Sequence, residues 1–70
     1  MSLLKVNGKD MEFADEQMPR TIVELLAELG VDAATVVAEV DGQIVERGNF
    51  ESAQLQQGQS IELVRFVPGG

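Results

Sequence analysis

Apolar and polar residues alternate at the start of the chain. Leu4 and Val6 flank Lys5, and beyond Asn7-Gly8 the pair Met11 and Phe13 flanks Glu12. A period of two places one side-chain set on one face of a strand, and Asn-Gly suits the positive φ angles of a two-residue turn. The segment therefore predicts a β-hairpin. Ala14 to Pro19 reads as a polar, solvated connector. The period then changes: Ile22, Leu25, Leu26 and Leu29 follow the i, i+3, i+4, i+7 spacing of one helix face. Thr21-Ile22-Val23-Glu24 reads as a capping box, with Thr21 accepting from first-turn amides and Glu24 reaching back, and Gly30 is placed for a left-handed C-cap. Val36 to Val40 predict a third strand, Asp41-Gly42 a second hairpin turn, and Gln43 to Val45 a short fourth strand. Glu46 to Leu55 is irregular, with Phe50 and Leu55 as its anchors on the core. A turn at Gln57-Gly58-Gln59 leads into a last strand over Ser60 to Val67. Met1-Ser2-Leu3 predicts nothing specific.

One helix with one apolar stripe must bury it against one sheet face. The order hairpin, helix, hairpin, strand thus implies a two-layer α+β domain over residues 1–67, a mixed sheet of four to five strands on one main helix, followed by a flexible tail at 68–70. Such a sheet has one covered and one open face. The last strand breaks the alternation this requires. Ile61 and Leu63 share the core side with Glu62 opposite, but Val64 and Phe66 fall on the Glu62 side and Arg65 takes core parity. Either a bulge resets the register, or Val64 and Phe66 form an apolar patch on the open face.

Composition narrows the chemistry. Among 70 residues there is no cysteine and no histidine, which removes disulfides, thiolate metal sites, and the commonest general base and metal ligand. The carboxylates are scattered, without calcium-loop spacing. A net charge of −7 repels nucleic acid and anionic membrane surfaces and suits either solubility or steering toward a basic partner. No apolar run approaches membrane-spanning length and no leader pattern is present, so a cytoplasmic location is expected.

The chain stops at Val67-Pro68-Gly69-Gly70. Two closing glycines arise by chance in only about 0.5% of chains. Lacking Cβ atoms, Gly69 and Gly70 suit a carboxylate that threads into an enzyme's channel. With no other chemical centre in view, the reactive atom expected is the last carbonyl carbon, on Gly70.

At this point the residues resemble a known family. Thr21-Ile22-Val23-Glu24-Leu25-Leu26, Val37-Ala38-Glu39-Val40-Asp41-Gly42-Gln43-Ile44-Val45-Glu46-Arg47, and Gly58-Gln59-Ser60-Ile61-Glu62-Leu63-Val64-Arg65-Phe66-Val67 with the final Gly-Gly look like the thiamine-biosynthesis sulfur carrier proteins. That resemblance covers nearly the whole chain and implies a ubiquitin-like β-grasp fold and a carrier rather than a catalyst. It further implies that an E1-like adenylyltransferase uses ATP to adenylate the Gly70 carboxylate. A sulfur donor such as a cysteine desulfurase would then leave a thiocarboxylate for thiazole synthase, with no cofactor bound by the domain itself. On this reading Gly70 carries the sulfur, Gly69 and Pro68 shape the threading tail, and Val64, Phe66 and Arg65 meet the partner. Arg65 reads equally well as a solvated cation. Pro68 departs from the family, where a small residue or glycine usually precedes the diglycine, and it biases Val67 toward extended geometry. Two other readings share the tail: a molybdopterin-type sulfur carrier, and a ubiquitin-like modifier joined to lysines. A β-grasp binding module without tail chemistry is the third.

Overall fold

The computed structural model describes residues 1–66; Val67 to Gly70 lie outside the described residues, so the expected end of the last strand at Val67 and the tail at 68–70 carry no structural account. Five strands and one helix follow one another as β1 (Ser2–Val6), β2 (Lys9–Phe13), α1 (Ile22–Leu29), β3 (Val36–Val40), β4 (Gln43–Val45) and β5 (Ser60–Arg65). In space the sheet runs β2-β1-β5-β3-β4. The β1–β5 pair is parallel and the other neighbours are antiparallel. This is the two-layer α+β arrangement that the order of elements implies, and its mixed sheet has the β-grasp layout that the resemblance implies.

The local signals act as their chemistry dictates. Both hairpin turns carry consecutive positive φ angles, 50° and 80° at Asn7-Gly8 and 51° and 85° at Asp41-Gly42. That geometry matches the right-handed strand twist on either side. Thr21 caps α1, its side chain accepting from the Glu24 N–H at 3.2 Å. Glu24 reaches back one residue further than a capping box requires, accepting from the Arg20 N–H at 3.0 Å. Gly30 closes the helix with φ 70°, the left-handed conformation for which a side chain would cost strain.

The core is built from the alternating and helical stripes. Leu4 and Val6 of β1, Val36 and Ala38 of β3, and Ile61 of β5 bury against Ile22, Leu25 and Leu26 of α1. Phe50 and Leu55 are buried as well, so the irregular segment is anchored where the sequence places its anchors. Hydrogen bonds tie that segment to the helix start: the Val23 N–H donates to the Phe50 carbonyl at 3.2 Å and the Leu55 N–H to the Arg20 carbonyl at 2.8 Å.

Two segments read as uninformative or merely solvated are more structured than expected. Ser2 and Leu3 open β1, and Ser2 is buried. Its hydroxyl donates to Asp15 Oδ1 at 2.8 Å, and the N-terminal amine lies 3.3 Å from the same oxygen. Asp15 belongs to a single 3₁₀ turn, Asp15–Gln17, inside the connector. The Ser2 hydrogen bond, then the amine, holds the Asp15 carboxyl below its ordinary range.

Candidate functional site

The site is assembled around the last strand. β5 lies in the middle of the sheet, and its side chains alternate between the helix side and the open side. The pairing with β3 runs without interruption from Val40↔Ile61 to Val36↔Arg65. No bulge resets the register, so the second of the two expectations holds: Val64 and Phe66 stand on the open face, 57% and 45% exposed. The ladder continues to the last described residue, because the Phe66 N–H donates to the Thr35 carbonyl at 2.9 Å. Thr35 is itself fixed by the turn Ala33–Thr35, where Asp32 Oδ1 accepts from the Ala34 N–H at 2.9 Å. The chain is therefore held in extended form up to Phe66.

Two further residues complete the patch, and the reading from sequence missed both. Val37 sits directly opposite Val64 across β3 and β5 and is 41% exposed. Ile44 lies diagonally beside Val37, in register with Glu39, and is 67% exposed. The available signal was an unbroken apolar run in each strand, Val36-Val37-Ala38 and Ile44-Val45, where strict alternation demands a polar residue. A groove beside the patch, lined in part by Val37, Ile44, Val45, Phe50 and Phe66, extends this apolar surface around the end of β4.

Further along the same open face the character changes. Glu39 and Glu62 stand opposite each other across β3 and β5. Like charges in that position repel, so this part of the face prefers a basic neighbour. Arg65 points to the other side. It is exposed and lines a second groove together with Leu63, Val36 and Leu29, the last residue of α1. The three residues expected to meet a partner thus do not form one surface: Val64 and Phe66 belong to the open face, and Arg65 to the helix side. Pro68, Gly69 and Gly70 lie outside the described residues.

No group of three or more potential metal-ligating side chains occurs among the described residues. None of the described helices is long and apolar enough to cross a membrane. What the described site offers is a contact surface beside Phe66, the last described residue.

Comparison with known proteins identifies that architecture. A model of the ThiS family matches residues 4–70. The sulfur carrier protein ThiS of Bacillus subtilis is 31% identical over 68 residues, covering 97% of this chain and all of that one. A thiazole synthase of Paramagnetospirillum magneticum is 33% identical over 67 residues, 96% of this chain, which spans only 20% of that protein. The crystal structure of the thiamine biosynthesis protein ThiS from Geobacter metallireducens superposes with a TM-score of 0.78 and 33% identity, covering 97% of this chain and 99% of that one. The chain belongs to the ThiS family, the sulfur carriers of thiamine biosynthesis.

Proposed function

We propose that Gly70 is the chemical end of this carrier and that its carboxylate is converted to a thiocarboxylate for thiazole synthesis. The observation that carries the reading is the ThiS family match running through residue 70, which takes in Gly69-Gly70 as well as the folded domain.

The chemistry follows from the weakness of a carboxylate as an electrophile. An adenylating enzyme attaches AMP from ATP to the Gly70 carboxylate and releases pyrophosphate. A persulfide sulfur attacks the acyl carbon and AMP leaves. A second thiol then cleaves the sulfur–sulfur bond, giving a disulfide and the free thiocarboxylate. None of these steps needs a titrating side chain of this domain, which has neither cysteine nor histidine. The domain supplies an address: the apolar patch of Val37, Ile44, Val64 and Phe66, and a tail of glycines narrow enough to enter a channel.

The client favoured is thiazole synthase. A thiazole synthase contains a stretch 33% identical to this chain, which supports the thiamine branch over a pterin-directed carrier. An E1-like adenylyltransferase and a cysteine desulfurase, both cytoplasmic, complete the set of partners on this reading.

The test is the intact mass after incubation with ATP, the activating enzyme and a sulfur source. The expected result is a gain equal to replacing one oxygen by sulfur, localised to Gly70. Deleting Gly70 is expected to abolish that gain without shifting the melting temperature. An unchanged mass with demonstrably active enzymes overturns the reading, and a larger adduct through a lysine identifies a protein modifier instead.

A further inference from the structure

Beyond Ile61, β5 has a strand neighbour on one edge only. β1 pairs with it at Lys5↔Ser60 and Val6↔Ile61 and then turns away. Asn7 fills the first vacated position. Its N–H donates to the Ile61 carbonyl at 2.9 Å, and its Oδ1 accepts from the Leu63 N–H at 2.7 Å. A side chain thus stands in for the next residue of a strand. The Phe66 N–H faces β3, so by the alternation of a strand the Arg65 N–H and the carbonyls of Leu63 and Arg65 face the vacated edge. Among the described residues nothing accepts from the Arg65 N–H.

Beside this edge lies a groove at the C-terminal end of α1. α1 ends at Leu29, and Leu29, Val31, Val6 and Leu63 give this groove an apolar lining. Lys9 and Arg65 also line it, and no carboxylate does. In a chain with twelve acidic and five basic side chains, that local excess of positive charge selects an occupant.

We propose that this edge and groove receive an extended segment of a partner protein as an added strand, with acidic and aliphatic side chains on its groove-facing side. The Leu63 carbonyl and the Arg65 N–H and carbonyl, which face the vacated edge, supply the hydrogen bonds of strand addition, while the Leu63 N–H stays with Asn7. Side chains two residues apart on the incoming strand face the same side. One is a carboxylate beside Lys9 and Arg65, and the next is an aliphatic group over Val6 and Leu63. The proposal rests on the reading of Arg65 as a partner-binding residue and gives that partner its chemistry. It also explains why Arg65 occupies the helix side while Val64 and Phe66 occupy the open side: a partner would hold the strand from its edge as well as from its face.

The test uses the full, isotope-labelled chain and a short synthetic peptide in which two successive groove-facing positions are glutamate and isoleucine. Saturable shifts at Leu63 and Arg65 are expected, with exchange of the Arg65 amide slowed about tenfold or more. The double variant Lys9→Glu, Arg65→Glu should lose the response while keeping the dispersion of a folded domain. Three outcomes overturn the proposal: no shifts at millimolar peptide, shifts confined to Val37, Ile44, Val64 and Phe66, or equal binding by an all-glutamate peptide, which shows charge attraction alone. Failure here leaves sulfur loading at Gly70 untouched, and failure of sulfur loading leaves the peptide response untouched, so the two readings are separately exposed.

Discussion

The two faces of β5 carry similar residues to opposite ends. Ile61 and Leu63 point at α1, where Ile61 is completely buried, while Val64 and Phe66 point away from it and stay about half exposed. Apolar area removed from water on folding is worth about 25 cal/mol per Å², and a partner that covers such area gains only what is left after the costs of association. On the first face that gain is realised inside the chain and holds the fold. On the second it is left unrealised in the free domain and becomes available only when a partner covers it. Hydrophobicity alone does not distinguish the two roles; register against β3 and the reach of the helix do.

The contrast is open to direct attack. Ile61→Ala should have the largest effect on the domain itself, a loss of about 2–5 kcal/mol through the cavity it leaves, read by denaturant unfolding. For a domain of this size that can abolish the folded state. Phe66→Ser should do the reverse. Its stability should move by no more than about 0.5 kcal/mol, while affinity for the activating enzyme or thiazole synthase falls by about 2 kcal/mol, roughly thirtyfold, by calorimetry. Equal losses of stability from the two substitutions would erase the distinction. Asn7→Gly is intermediate: it keeps the positive φ without strain but deprives the Leu63 N–H of its acceptor. A cost of about 1 kcal/mol is expected, with the chemical-shift change centred on Leu63. The smallest effect belongs to Asp15. Its carboxyl titrates below the unfolded value of about 3.9, so its contribution is present above that pH and is lost as pH falls through the lowered folded value. Asp15→Asn should therefore narrow the difference in melting temperature between neutral and strongly acidic solution, and leave partner binding unchanged.

Much of this was legible in the sequence because the signals were local. Asn-Gly and Asp-Gly force their turns, Thr21 and Gly30 bracket the helix, and the apolar stripe of Ile22, Leu25 and Leu26 names its buried face. The broken alternation at Val64 and Phe66 was visible too, although choosing between a bulge and a patch required the β3 register. What stayed hidden depends on residues far apart in the chain. Asn7 accepting from Leu63 joins positions 56 residues apart, and no periodicity signals it. Val37 joins the patch because it faces Val64 across the sheet. Arg65 is a different case: its core-side parity was already visible in the sequence, although it was grouped with Val64 and Phe66 as a partner contact.

The place of β5 also governs how the molecule comes into being. Among the described strands it is the last to be synthesised, and it lies between the two hairpins that precede it, clasped by Asn7 from one turn and by Asp41 from the other, whose Oδ1 accepts from the Ser60 N–H at 2.9 Å. A nascent chain that has delivered both hairpins holds two ribbons with a vacant slot between them, and pairing across so long a loop is slow to form. Closure waits for Ser60 to Arg65. Maturation of the fold and display of the strand that presents Val64, Arg65 and Phe66 are consequently one event, so a ribosome that stalls before Ser60 yields a chain with neither the closed sheet nor the surface a partner would recognise.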